Sequence, residues 1–83
     1  MGWQIEVSAA AQKTLRKIGS VEADRITRML QEIGKLDDPR TRGHILTGEL
    51  SGMWRYRAGD WRIICRIEDR SLIILIVSIG HRS

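Results

Sequence analysis

The sequence predicts an α+β fold, in which an N-terminal strand and a helical hairpin precede a three-stranded antiparallel meander, with one sheet packed on the helices. Two observations support this prediction. Apolar residues recur at helical spacing between residues 9 and 33, and they alternate with polar residues at strand spacing before and after that region. A chain of 83 residues is the size of one small domain. We therefore expect a single domain over residues 1–83.

The first half carries start and stop signals for two helices. Trp3–Val7 alternates apolar and polar residues, which predicts a strand. Ser8 is suited to cap a first helix, which Gly19 ends. Ser20 is then expected to cap a second helix, and Asp38-Pro39 closes the helical region because the residue before proline avoids helical geometry. The buried stripe of the second helix is expected to consist of Ile26, Met29, Leu30 and Ile33.

The second half predicts a loop and three strands. Residues 40–52 are punctuated by glycine and predict a connection over the surface. Strands are expected at about Met53–Arg57, Trp61–Glu68 and Ser71–Ile79, joined by tight turns. The third of these strands is apolar on both faces, which indicates a central strand that is covered on both sides.

The positive charge is confined to the second half of the chain. Residues 1–39 hold six basic and six acidic side chains, whereas residues 40–83 hold eight basic and four acidic ones, giving the net charge of +4. All eight basic residues there, histidine aside, are arginines, whose planar fork suits phosphate and carboxylate. This charge distribution indicates an anionic partner, and nucleic acid is the first candidate. The alternative is a solvated surface with a mild basic bias.

Strand alternation predicts an arginine face within residues 54–67. Side chains alternate across a strand, so the aromatic residues are expected on one face and the arginines on the other. A register that pairs Arg55 with Arg62 would gather the arginines. The expected outward cluster is Arg55, Arg57 and Arg62, with Arg66 next on the same face. Neighbouring like charges repel, so this arrangement favours a phosphate ligand. The alternative is that Glu49, Asp60 and Glu68 neutralise the cluster and nothing binds.

Other residues limit the chemistry and the location. The single Cys65 excludes an internal disulfide and fits a reducing compartment. The N-terminus lacks the features of a secretory signal, and the longest apolar run is too short to cross a bilayer, so we expect a cytoplasmic protein with no membrane contact.

Two histidines and one cysteine make no convincing metal site, and no cofactor is expected. His81 follows a buried strand and could exchange protons, although a near-terminal histidine is more often inert. A nucleophilic pair of Cys65 and His81 is disfavoured because Cys65 is expected to face inward.

Two stretches, Leu46–Cys65 and Ile79-Gly80-His81-Arg82, resemble the RelE/ParE-type toxins of bacterial type II toxin–antitoxin systems, and the RelE branch in particular. The resemblance covers nearly the whole chain. It implies a RelE-like fold and a ribosome-dependent mRNA endoribonuclease that inhibits translation. In such toxins the ribose 2′-OH attacks the adjacent phosphate without a metal ion. The implied partners are the ribosome, mRNA and a cognate RelB-like antitoxin, acidic and helical, in a toxin–antitoxin hetero-oligomer.

The resemblance also implies roles for individual residues. Catalytic roles fall to Arg62, Arg82 and His81, and RNA phosphate binding to Arg55, Arg57 and Arg66. Many RelE-branch toxins carry a further tail with a catalytic tyrosine, whereas this sequence stops at Ser83. Three readings are open: His81 replaces the tyrosine, the activity is weakened, or the chain has been shortened. The functional alternatives are a ParE-like inhibitor of DNA gyrase and a homologue that binds antitoxin or nucleic acid without catalysis.

Overall fold

The computed structural model describes residues 2–81, which form two helices and a five-stranded sheet. In chain order the elements are β1 (Gln4–Val7), α1 (Ala9–Lys17), α2 (Ser20–Gly34), β2 (His44–Ile45), β3 (Trp54–Ala58), β4 (Trp61–Glu68) and β5 (Ile73–His81). The strands lie in the order β1-β5-β4-β3-β2. β1 pairs with β5 in parallel, and the other neighbours are antiparallel. The predicted α+β class is confirmed.

The helix signals are right at the first helix and displaced by one residue at the second. The Ser8 hydroxyl accepts a hydrogen bond from the Ala11 amide at 3.1 Å, as expected of an N-cap. Ser20, however, is the first residue of α2, and Gly19 occupies the cap position without a side-chain bond. The link between the helices is so short that the chain reverses at Gly19, whose φ of 90° suits glycine. The predicted apolar stripe of α2 is confirmed as buried.

The core lies between the helices and one face of the sheet. The buried residues of β5 are Ile74, Ile76 and Ile79, and they cluster with the buried stripe of α2. Ile73 and Leu75, on the opposite face, are only half-buried. The prediction that β5 is a central strand is correct, but the prediction that it is covered on both sides is wrong for residues 2–81, because both helices pack on the same face.

Residues 40–52 are more ordered than the surface loop that the sequence predicts. They contain β2 and part of a 3₁₀ turn at Pro39–Thr41, followed by a second turn at Gly48–Leu50. Aromatic side chains of β3 hold the first part of this connection: the Tyr56 hydroxyl donates to the Pro39 carbonyl at 2.8 Å, and the Trp54 indole donates to the Arg42 carbonyl at 2.6 Å. Residues 39–45 are therefore fixed along the sheet edge.

Candidate nucleic-acid interface

The arginines of β3 and β4 share the face of the sheet that the helices leave open. Their partners in the ladder show this: Arg57 pairs with Arg62, while Tyr56, on the core face, pairs with buried Ile63. The expected register is wrong by two residues, since Arg55 lies opposite Ile64 rather than Arg62. A shift of two residues preserves the face of every side chain. The predicted separation of arginines from aromatic residues therefore holds.

The arginines on this face have no acidic partner among residues 2–81. The ion pairs in that range join Arg40 to Asp38 and Asp69. Glu49, Asp60 and Glu68, the expected neutralising residues, form none with the arginines of β3 and β4. Arg57, Arg62 and Arg66 are exposed, and Arg55 is half-buried. The guanidinium groups are thus available to an external anion.

A glycine leaves open space beside the Arg57–Arg62 pair. Gly80 of β5 is the ladder partner of Arg62, and a Cβ atom at Gly80 would have no heavy atom of residues 2–81 within 4 Å, its two chain neighbours aside. Ser78, the next residue of β5 on this face, is exposed. Within residues 2–81, Gly80 and Ser78 therefore put no large side chain beside Arg62 on this face of β5.

The structure places His81 on the other face, beside Trp61. The two residues are ladder partners, and their rings meet edge to face with centroids 4.8 Å apart and an interplanar angle of 71°. The Trp61 indole donates a hydrogen bond to the Glu22 carboxylate of α2 at 2.8 Å, which fixes Trp61 on the helix side. His81 thus lies at the end of the sheet on the side opposite Arg62. Arg82, the remaining candidate, lies outside the described residues.

Cys65 belongs to the core. Its side chain is fully buried, and its thiol lies 3.4 Å from the Trp54 carbonyl oxygen. Burial raises the pKa of this thiol to about 12, which disfavours the nucleophilic thiolate. Across residues 2–81, His, Cys, Asp and Glu side chains form no group of three that could hold a metal ion. Neither helix in this range is long and apolar enough to cross a membrane.

A family model for the ParE toxin of the parDE type II toxin–antitoxin system matches residues 5–83. This chain belongs to that family. The resemblance to the RelE/ParE superfamily is confirmed, and the chain is a toxin of the type II toxin–antitoxin class. A search of curated proteins finds no significant match.

Solved structures of RelE toxins share the fold of this ParE-family chain. In the RelBE2 toxin–antitoxin complex of Mycobacterium tuberculosis, the matching chain has a TM-score of 0.88 at 22% identity, with 99% of this chain and 93% of that chain covered. A double mutant of Escherichia coli RelE in the free state has a TM-score of 0.78 at 22% identity, with coverages of 98% and 84%. The archaeal RelE–RelB complex of Pyrococcus horikoshii gives 0.78 at 20% identity, with coverages of 100% and 98%.

Sequence reasoning missed two basic residues of this ParE-family chain that lie beside the arginine face. Arg42 and His44 precede and begin β2, and His44 is the ladder partner of Arg55. The sequence alone predicts a surface loop for both, because a two-residue strand has too few positions to show alternation. The available signal was the run Arg42-Gly43-His44, in which a glycine allows close contact with a neighbouring strand.

Proposed function

We propose that this toxin is a ribosome-dependent endoribonuclease that cleaves mRNA and so inhibits translation. The observation that supports the proposal most is the set of arginines without acidic partners on the open face of the sheet, next to the space above Gly80. Arginine-rich, partner-free surfaces are suited to phosphate. The arginines concerned are Arg55, Arg57, Arg62 and Arg66. A catalytic role for Arg82 is also part of the proposal, on the resemblance alone.

The proposed reaction is an internal phosphoryl transfer. The ribose 2′-oxygen forms a bond to the adjacent phosphorus, and the bond from phosphorus to the 5′-oxygen of the next nucleotide breaks. The 2′-hydroxyl loses a proton and the leaving 5′-oxygen gains one. Negative charge grows on the non-bridging oxygens, and guanidinium groups fixed on a sheet are suited to stabilise it. Arg57 and Arg62, paired across the hairpin, are our candidates for this role.

His81 is our candidate for proton transfer. It is exposed at the end of β5, and contact with Trp61 limits its orientations. Because its side chain lies on the face of Trp61, the RNA would have to reach around the end of the sheet to meet it. His81→Ala should lower the cleavage rate, and the cleavage that remains should still require Arg62. Unchanged cleavage in His81→Ala would remove His81 from the mechanism.

We propose a cognate antitoxin as the partner that keeps the toxin inactive. RelE chains are solved in complex with RelB in the structures from Escherichia coli and Pyrococcus horikoshii. For this chain the basic open face suits an acidic, helical antitoxin segment that folds on contact. Charge reversal at Arg55 and Arg57 should weaken such a complex, as measured by titration calorimetry. Unaltered affinity would place the antitoxin elsewhere.

The test of the activity is a translation reaction with purified ribosomes, in which primer extension maps mRNA cleavage. The wild-type protein should cut, and Arg62→Ala should cut roughly 10²-fold or more slowly, which is the usual cost of removing one charge-stabilising donor. Arg16→Ala is the matched control, because Arg16 is an exposed arginine on α1. Equal cleavage by both variants would contradict the proposed role of Arg62.

Inhibition of DNA gyrase is the second candidate, and the description of the matched family as parDE favours it. A supercoiling assay with purified gyrase separates the two functions. Intact mRNA together with inhibited supercoiling would replace the nuclease with a gyrase inhibitor. Inactivity in both assays, with antitoxin binding retained, would indicate a homologue that has lost its activity.

A further inference from the structure

A small cleft at the β2–β3 edge adjoins the arginine face. Its volume is about 190 Å³, and its basic lining residues are Arg42, His44, Arg55 and Arg57. No acidic residue lines it, and the other lining residues are Met29, Gly43 and Tyr56. The cleft is smaller than the roughly 300 Å³ at which pockets for small-molecule ligands begin. Its size and charge suit a single phosphate group rather than a whole nucleotide.

Arg55 provides a second, independent observation. The Nε atom of this side chain is buried and has no hydrogen-bond partner among the described residues. A buried N–H group is normally paired, because leaving it unpaired forfeits the hydrogen bond that water would have supplied. Arg55 also lines the cleft, so a small movement of its side chain towards an anion bound there would give this N–H group a partner.

The backbone around the cleft is held in place before any ligand arrives. Gly43, with φ of 81°, lies so close to β3 that an added Cβ atom would come within 2.6 Å of the Arg55 carbonyl oxygen. The Trp54 indole also donates to the Arg42 carbonyl at 2.6 Å. Arg42 and His44 therefore stand at fixed positions on either side of Gly43. A preorganised site loses less entropy on binding than a mobile loop would.

We infer that the β2–β3 edge cleft binds a second phosphate of the RNA chain, next to the phosphate that is cleaved, through Arg42, His44 and Arg55. This inference rests on the proposed function, since it takes RNA as the ligand. Arg57 lines the cleft and also pairs with Arg62, so it connects the two phosphate positions. The cleft would fix the register of the RNA on the arginine face.

The test measures binding without cleavage. A short 2′-O-methyl RNA, which lacks the attacking hydroxyl, is titrated into the full chain at several salt concentrations and followed by fluorescence anisotropy. Arg42→Gln should weaken binding roughly fivefold and reduce the slope of log K against log salt by about 0.7, as expected for one lost phosphate contact on a single strand. His44→Ala should also weaken binding. Arg42 is exposed and its side chain donates no hydrogen bond within residues 2–81, so these changes should leave the fold intact.

Arg16→Gln is the matched control, because it removes one exposed arginine from α1. A second readout is the NMR resonance of the Arg55 Nε–H group in the wild-type chain, which should shift on adding the RNA. Equal affinity and slope for Arg42→Gln and Arg16→Gln, or an unmoved Arg55 resonance, would overturn the inference. Weakened antitoxin binding in Arg42→Gln with unchanged RNA binding would overturn it too, and would assign the cleft to an acidic peptide.

The cleft and the proposed activity can fail separately. Binding of the 2′-O-methyl RNA that depends on Arg42, combined with absent mRNA cleavage, would support the cleft and contradict the nuclease. Normal cleavage, combined with RNA binding that is unchanged in Arg42→Gln and His44→Ala, would support the nuclease activity and contradict a role of the cleft in RNA binding.

Discussion

At the scale of single residues, the Arg57–Arg62 pair places two like charges directly opposite each other on an open face. Like charges that face each other across two strands destabilise a sheet, so we expect this pair to lower the stability of the fold. The face of each arginine could be predicted from alternation alone. The register could not, because it depends on the length of the turn. Gly59–Asp60 is a two-residue turn that brings Ala58 opposite Trp61, and hence Arg57 opposite Arg62.

Arg62→Ala should therefore make the fold slightly more stable while it lowers activity. The expected rise in the free energy of unfolding is about 0.2–1 kcal/mol at low salt, because repulsion from Arg57 is removed. The rise should shrink as salt screens the charges. Urea denaturation at low and high salt checks this, with Arg16→Ala as the control that removes an arginine without a facing one. A loss of stability in Arg62→Ala would contradict the repulsion.

Gly43 should be intolerant of alanine. Its φ of 81° is strained for alanine, and a Cβ atom would also meet the Arg55 carbonyl oxygen and the Trp54 indole nitrogen, both at 2.6 Å. Gly43→Ala should cost roughly 2–4 kcal/mol of unfolding free energy. Gly48, with φ of 73° and nothing within 4 Å, is the matched control, and Gly48→Ala should cost only about 1–2 kcal/mol. Similar losses for both, measured by chemical denaturation, would show that the contact with β3 is unimportant.

At the scale of elements, one ion pair ties the segment after α2 to the β4–β5 turn. Arg40 donates two parallel hydrogen bonds to the Asp69 carboxylate, at 2.9 and 2.8 Å. The hydrogen bond from Arg40 holds the pKa of Asp69 below its ordinary value. A lowered carboxyl pKa contributes stability above the unfolded-state pKa of about 3.9, and this contribution is lost as the pH falls through the folded-state pKa.

Arg40→Gln should accordingly lower the melting temperature at pH 7 by a small amount, since Asp69 is largely exposed and Arg40 is partly exposed. The difference from wild type should disappear in strong acid, where Asp69 is protonated in both proteins. Thermal unfolding by circular dichroism at neutral and acidic pH measures it. Arg70→Gln, at the neighbouring turn position, removes an exposed arginine that forms no ion pair within residues 2–81, and it should show no such pH dependence.

The elements themselves could be predicted to different extents. Both helices and the three long strands have enough residues to display a periodicity, so their positions followed from the pattern. β2 was missed because its pairing depends on Trp54 and Tyr56 reaching back to the chain between Pro39 and Arg42. Such contacts join residues 12 and 17 positions apart, and no local pattern encodes them. The edge cleft was missed for the same reason.

At the scale of the whole molecule, a thin core lies on one side of the sheet, and Cys65 of β4 is fully buried in it. Burial raises the pKa of Cys65 to about 12. Because the pKa of this thiol is higher in the folded protein, its ionisation does not affect the free energy of unfolding below the unfolded-state pKa of about 8.5. As the pH rises from there towards the folded-state pKa, the free energy of unfolding falls. The thiol is therefore protected from thiol reagents in two ways: it is inaccessible, and it is not ionised at neutral pH.

Labelling of Cys65 with a thiol reagent at about pH 8 should report unfolding of the whole domain. We expect the native protein to react roughly 10³-fold or more slowly than a free cysteine, because only the rare unfolded molecules expose the thiol. Urea should restore the full rate along the same transition as circular dichroism. Rapid labelling in native buffer would contradict this, and would show that β4 opens without global unfolding.

The parallel pairing of β1 with β5 brings residues far apart in the chain together: Gln4 lies beside Ile73. Closing so long a loop is slow compared with forming the β3–β4 and β4–β5 hairpins, whose strands are joined by short turns. We therefore expect the hairpins to fold first and β1 to dock last. The arginines of β3 and β4 would then be brought together before the N-terminal strand docks.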